Sequence, residues 1–285
     1  MTMTAMADGG RPRLGILAGG GPLPGRVAAA AVAGGRAVFV IGLEGFAEPP
    51  VLAPFPHGFS RIGAAGRILE LLRANHCADV VMIGPVRRPG FFDLRPDAVG
   101  MRLIGRIGRS VFGGGDDTLL AAVVKILGEE GFRVLGAHEI LTEALAPAGV
   151  LGRMAPDPQA MADIKRGVAV ARALGAADVG QGCVVQQGLV LAVEAIEGTD
   201  AMLGRAAGLR RGGMGGVLVK VSKPGQDRRA DLPTIGATTI AQAAAAGLRG
   251  VAFEAGGALL ADRAATIAAA DQAGLFLIGL DIAGM

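Results

Sequence analysis

Short apolar runs, separated by glycine turns and by stretches of helical periodicity, organise the first half of the chain. Leu14 to Gly19 (LGILAG) reads as a buried strand, because a continuous apolar run of about four to eight residues bounded by turn signals suits a strand covered on both faces. A glycine turn follows, then an alanine-rich helix around Val27 to Val32, then a second strand from Ala37 to Leu43. Ile68, Leu69, Leu71 and Leu72 share a helical stripe that leads into a strand at Val80 to Val86. A further helix is expected after Gly115-Asp116-Asp117, and a strand at Arg133 to Ala137. Repeated strand–helix–strand units bury such strands only when helices cover both faces of a parallel sheet. Residues 1–147 therefore predict an N-terminal Rossmann-like parallel-sheet domain.

Beyond Gly149 the texture changes. The segment LGRMAPDPQAM carries two prolines and marks a junction. A helical pattern runs through Ile164 to Ala173, and VGQGCVVQQGLVLAVEAIEG reads as two strands about a tight Gln187-Gly188 turn. With further strand–helix units behind this hairpin, residues 148–285 predict a C-terminal mixed α/β (α+β) domain, the expected catalytic domain that carries the EGTD and KPGQD strings.

Composition narrows the class. Hydrophobic residues make up 51% of the chain and charged residues 19%, ample for two cores. The 48 glycines follow no repeat, which speaks against collagen-like and disordered chains. The first dozen residues lack the apolar stretch of a signal peptide, and no segment reaches the ~18 to 20 unbroken apolar residues of a membrane span. Two cysteines with no CxxC spacing support neither a disulfide framework nor a zinc site, so the expected location is the cytoplasm. A net charge of +3 suits an anionic nucleotide or an anionic lipid leaflet. Without tryptophan or tyrosine the chain lacks the stacking platforms of single-strand binders, and no nucleic-acid partner is expected.

Several motifs could carry chemistry. Gly19, Gly20 and Gly21 form a glycine turn between a strand and a helix, where backbone amides can approach a phosphate. Pro24 stands where a dinucleotide fingerprint needs its third glycine, which weakens a nicotinamide-dependent oxidoreductase reading that Glu44 would otherwise support. The GGGDD run, Gly113 to Asp117, places Asp116 and Asp117 at a helix start, as caps or as substrate contacts. Glu194, Glu197 and Asp200 gather where an apolar strand gives way to a loop, a plausible setting for magnesium ligands. Glu194 and Glu197 are an odd number apart, so on an ideal strand they face opposite ways, and Thr199 or Asp200 would cap the next helix. From Arg205 to Arg229 seven cations accompany one acid, Asp227. Lys220, Lys223 and Arg229 can neutralise a pyrophosphate. The same cations keep Asp227 ionised, fit to hold a metal or orient a water but a weak general base.

The strings AGGGPLP, GDDTLL, DVGQ, VVQQG, VEAIEGTDAM, GGVLVKVSKPGQDRRADLPTIG and FEAG occur in the order seen in the LpxI-type UDP-2,3-diacylglucosamine pyrophosphatases, which the chain resembles from about Leu14 to its end. The resemblance implies two domains with substrate between them, and hydrolysis of UDP-2,3-diacylglucosamine to UMP and 2,3-diacylglucosamine 1-phosphate with Mg2+. It puts the critical aspartate of the KPGQD string on Asp227; Glu197 and Asp200 are further candidate metal ligands by their own setting at the strand end. Gln181 of DVGQ, Thr199 of EGTD and Gln226 of KPGQD are candidate substrate contacts. The implied setting is cytoplasmic with peripheral contact to the inner leaflet of the membrane, and a homodimer is compatible with it. A non-catalytic nucleotide-sugar or anionic-lipid binding protein is the alternative reading of the basic stretch.

Overall fold

A computed structural model describes residues 11–87, 94–107 and 115–282. The chain divides into two compact units. The first comprises residues 1–142 together with Asp227–Asp231, and the second residues 143–226 and 232–285.

In the first unit the elements run β1 (Arg13–Ala18), α1 (Leu23–Ala33), β2 (Val38–Leu43), α2 (Pro49–Leu52), β3 (His57–Ser60), α3 (Ala65–Ala74), β4 (Cys77–Ile83), α4 (Ala98–Ile107), α5 (Asp116–Glu129), β5 (Arg133–Leu135) and α6 (Ala137–Ile140). The five strands are all parallel, in the order β3-β2-β1-β4-β5. That is the strand order of a doubly wound sheet, whose switch point lies at β1. Leu17, Ile41, Val80 and Val134 point to one face, where Leu69 and Leu72 of α3 and Val124 and Leu127 of α5 cover them. Helix α1 packs on β1 and β2 and buries Val27, Ala28 and Ala31.

Two expectations shift here, and one strand is new. Strand β4 ends at Ile83 rather than Val86, because Gly84 takes a φ of +97° and turns the chain. Strand β5 stops at Leu135, and Ala137 opens a short helix. Strand β3 is additional: HGFS has no apolar run, and pairing with β2 decides its state.

In the second unit the elements are β6 (Gly149–Leu151), α7 (Pro158–Ala176), β7 (Gly182–Gln186), β8 (Leu189–Val193), α8 (Gly198–Ala207), β9 (Val217–Lys220), β10 (Thr234–Ile235), α9 (Ala237–Ala245), β11 (Gly250–Glu254), β12 (Leu259–Leu260), α10 (Arg263–Ala273) and β13 (Phe276–Leu280). Six strands form a mixed sheet in the order β6-β13-β11-β9-β7-β8, with β9, β11 and β13 parallel at its centre. The expected hairpin is present. Gln187 and Gly188 both have positive φ, 53° and 77°, the two-residue turn whose twist matches antiparallel strands. Asp163 of α7, almost fully buried, pins that turn by accepting the amides of Gln187 and Gly188 at 3.0 and 2.7 Å. Strand period two then splits the core. Val184, Leu218, Val251, Phe253 and Leu277 face one side, with Met202 and Leu203 of α8 and Ile240 of α9. Val185, Val217, Val219, Ala252 and Ile278 face the other, against Ile164 and Val168 of α7. A sheet covered on both faces exposes its strand ends, and there the polar side chains collect.

Candidate active site

Strand β9 carries an apolar run into the core and ends on Lys220, 7% exposed, with its ammonium at the carboxyl edge of the sheet. Strand β8 runs parallel to it two places away and delivers Glu194, 6% exposed, to the same edge. Between them stands Thr199, in the first turn of α8. Its hydroxyl donates to Glu194 Oε1 at 2.6 Å and accepts from Lys220 Nζ at 2.7 Å. Lys220 Nζ lies 3.8 Å from Glu194 Oε1. In a buried setting neither charge is tolerable without the other, and removing one partner of such a pair typically costs about 3–5 kcal/mol. Gln181, beside β7, joins this edge through its backbone carbonyl, which accepts from Val221 N–H at 3.0 Å. Its side-chain Oε1 is buried without a hydrogen bond.

The chain after β9 continues the charged edge. Ser222 donates its amide to Glu254 Oε2 at 2.9 Å at the end of β11, and its hydroxyl to the Gly257 carbonyl at 2.7 Å. Lys223 Nζ donates to Asp178 Oδ1 at 2.8 Å, and its amide to Gln226 Oε1 at 3.1 Å. Asp178 follows the end of α7 in the left-handed region, φ 52°, a conformation aspartate tolerates better than most residues. Of the sequence candidates, Thr199 and Lys220 thus meet in one cluster and Lys223 and Gln226 in another. Glu194, named above among the carboxylates suited to magnesium, belongs to the first cluster, and Asp178 of DVGQ and Glu254 of FEAG, to which the sequence assigns no role, join the charged edge. Asp178 and Glu254 meet partners 45 and 32 positions away along the chain, and Lys220 meets Thr199 across 21, so residue spacing carries no signal for these contacts, whereas Glu194 and Thr199 are five apart.

Asp227 groups with the first unit, together with residues up to Asp231, and Ala230 packs against that unit's core. Its carboxylate accepts from Arg229 three times: the amide at 3.0 Å, Nε at 2.9 Å and Nη2 at 2.7 Å. Hydrogen bonding from the Arg229 guanidinium holds the Asp227 carboxyl below the usual carboxylate range, against a smaller opposing effect of burial. The expectation of an aspartate kept ionised by neighbouring cations holds at the level of local geometry. In the same unit, burial and the Arg228 charge push His138 below the usual imidazole value, which keeps it neutral.

The other candidates occupy simpler positions. Glu197 is paired with Arg205, and Asp200 is exposed in the first turn of α8. Helix α8 begins at Gly198 with Glu197 at its N-cap and no side-chain cap, so neither Thr199 nor Asp200 caps it; Thr199 instead serves Glu194 and Lys220. Asp116 and Asp117 likewise are not caps. Gly115 holds that position, and the two aspartates occupy the first turn, where negative charge complements the helix dipole. Gly113 and Gly114 of the GGGDD run lie outside the described residues.

The amides of Gly19 and Gly20 donate to the carbonyls of Ile83 and Pro85, both at 2.9 Å, and that of Gly21 donates to Glu48 Oε1 at 3.1 Å. Their need for glycine is one of close approach. A Cβ on Gly19 would stand 2.4 Å from the Gly84 carbonyl oxygen, and one on Gly84 2.5 Å from that of Gly20. Any ligand at this turn would therefore meet a side-chain-free surface rather than free amide donors.

Among the described residues, no group of three or more His, Cys, Asp and Glu side chains is gathered as a preformed metal cage. A magnesium ion does not require one, since it commonly uses one or two carboxylates plus phosphate oxygens and water. Asp227, ionised and about one-quarter exposed, has the chemistry of such a ligand.

A doubly wound sheet in one unit and buried lysine–carboxylate clusters at the strand ends of the other define the class as a two-unit α/β protein with a charged strand-end cluster. The family description "LpxI N-terminal domain" matches residues 13–144, and "LpxI C-terminal domain" matches residues 147–278. A relative from Caulobacter vibrioides, "UDP-2,3-diacylglucosamine pyrophosphatase LpxI", is 48% identical over 275 residues, covering 94% of this chain and 98% of the relative. The chain belongs to the LpxI family.

Proposed function

We propose that this protein hydrolyses the pyrophosphate of UDP-2,3-diacylglucosamine, releasing UMP and 2,3-diacylglucosamine 1-phosphate for lipid A assembly. The observation that carries the reading is the 48% identity, over 94% of the chain, to a relative bearing that activity in its name. The chemistry asks for positive charge around a bridging oxygen that becomes anionic as the P–O bond breaks and water adds to phosphorus. Lys220, Lys223 and Arg229 are the cations assigned to that task, and Asp227 positions the water or holds a divalent cation, with Glu197 and Asp200 assisting. Gln181, Thr199 and Gln226 contact substrate, as do Asp116, Asp117 and the surface of the glycine turn. When bound, Mg2+ supplies Lewis-acid polarisation of a phosphoryl oxygen and a more acidic water. Incubation with UDP-2,3-diacylglucosamine, with and without EDTA, tests both parts. UMP is expected to appear without chelator and to be suppressed with it, with recovery on adding excess Mg2+. Undiminished release in EDTA would remove the metal, and no release under any condition would remove the activity.

Two acyl chains also bring the enzyme to a membrane surface, and the proposed contact is peripheral, on the cytoplasmic side. Among the described residues no helix is long and apolar enough to cross a membrane. The second unit instead presents exposed apolar residues beside cations. Leu209, Arg210, Arg211 and Met214 follow α8, and Leu189 flanks the β7–β8 turn. Gln186 and Gln187 tie that turn to the 211–214 segment through the carbonyls of Arg211, Gly212 and Met214. Exposed apolar side chains with arginines next to them in the chain suit an anionic bilayer surface. The protein is expected to sediment with phosphatidylglycerol vesicles at low salt, and to be released at high salt. Equal behaviour with neutral phosphatidylcholine vesicles would count against the charge argument.

A further inference from the structure

We infer that Glu194 is a positioning residue for the reaction, acting through Thr199 to hold the Lys220 ammonium in place. The inference rests on the reading that Lys220 acts on the pyrophosphate. Three observations carry it. The first is direction of hydrogen bonding. A threonine hydroxyl has one proton, and here it goes to Glu194 Oε1 at 2.6 Å, so a lone pair is turned to Lys220 Nζ at 2.7 Å. The carboxylate thereby orients the hydroxyl, and the hydroxyl fixes the end of a lysine stem that otherwise has many rotamers.

The second observation is burial. Both charged side chains are 8% exposed, and a buried ion pair is no better for stability than apolar packing of equal volume. Lys220 closes an otherwise apolar strand, VLVK, at a position where a fourth hydrophobic residue would satisfy the core. The third is the space made for the carboxylate. Gly182 pairs with Lys220 across β7 and β9, and its carbonyl accepts from the Glu194 amide at 2.9 Å. A Cβ on Gly182 would stand 2.7 Å from Glu194 Oε2 and 3.4 Å from Lys220 Cγ. Glycine therefore keeps open the slot that both groups share. Glu194 Oε2 lies in that slot, screened from solvent and without a hydrogen bond. Among the described residues, the hydrogen bond and ion pair of this carboxylate go to Thr199 and Lys220.

Steady-state UMP release from the full-length protein tests this with Glu194→Gln, Glu194→Asp, Thr199→Val and Lys220→Met, each checked for folding by circular dichroism and melting. Glu194→Gln is expected to lower kcat roughly 10- to 100-fold, the range for groups that orient an acting side chain, with KM little changed, and Thr199→Val, at a proposed substrate contact, to lower kcat by a similar factor. Glu194→Asp, which keeps the charge, is expected to recover part of that loss. Glu194→Gln combined with Lys220→Met should be no slower than Lys220→Met alone, because residues that act as a unit are not additive. Fully additive losses, or a rise in KM at unchanged kcat, would overturn the inference. Should Glu194→Gln fail to fold, Thr199→Val with Lys220→Met decides the same question. Full activity in Lys220→Met would instead overturn the assignment of Lys220 on which the inference rests, and absence of turnover in the parent protein would overturn the proposed function itself.

Discussion

Asp227→Asn is expected to release UMP at least about a hundredfold more slowly than the parent protein, the loss typical when one preorganised electrostatic group is taken from a reacting centre. Asparagine keeps an oxygen for the Arg229 amide, so the local turn survives, but it removes the negative charge that a metal or an oriented water would use. The Asp227–Arg229 pair is partly exposed on both sides, and such pairs contribute little to stability. Turnover and stability should therefore separate: a large kinetic loss with a melting temperature close to that of the parent. Because Arg229 holds the Asp227 carboxyl below the usual carboxylate range, the carboxylate stays charged at and above mildly acidic pH. No fall in activity attributable to this group is expected until the pH drops below about 4. Near-parental turnover in Asp227→Asn would remove the residue from the chemistry.

A large effect on stability is expected at Asp79, at the start of β4. Its side chain is 3% exposed and meets Arg36, itself 7% exposed, while Arg133 grips it bidentately at 2.8 and 2.7 Å. Burial pushes the Asp79 carboxyl up, but the two arginines outweigh it, and the group sits below the usual carboxylate range. Asp79→Asn keeps the shape and leaves the Arg36 guanidinium buried without its counter-charge. A cost of about 3–5 kcal/mol follows, from Arg36 more than from Arg133, whose side chain is mostly in solvent. In thermal unfolding this should lower the transition of the first unit by on the order of 10 °C. The sign of the pH dependence is set by the depressed value in the folded state. The stabilisation is complete above the unfolded carboxyl value of about 4 and is lost as pH falls through the lower folded value. The parent should lose stability in that acidic window, whereas Asp79→Asn should show a flatter profile there. Equal melting of the two proteins at neutral pH would refute the argument.

Much of the scaffold was legible because it rests on local rules. The runs at Leu14, Ala37 and Val80 become β1, β2 and β4 since an unbroken apolar segment has no stable place except between two helical layers. Gln187-Gly188 predicts its own turn, because a glycine supplies positive φ where the hairpin needs it. The charge state of Asp227 is local too, its main partner lying two residues ahead.

Where side chains end up at a strand terminus is a different matter. Odd spacing separates Glu194 from Glu197 but does not say which turns inward. Pairing of β7 with β9 and the entry of α8 bring Lys220 and Thr199 to Glu194, while Glu197 goes out to Arg205. The reach of Lys223 to Asp178 spans 45 positions, and the Asp227–Asp231 segment folds with the other unit than its sequence neighbours. Sequence alone settled the layered α/β character of this protein and the family to which it belongs, because periodicity and motif are properties of neighbouring residues. Which charges are buried together was decided by the tertiary structure, since a buried ion is stable only beside a partner that strand order, not chain order, delivers.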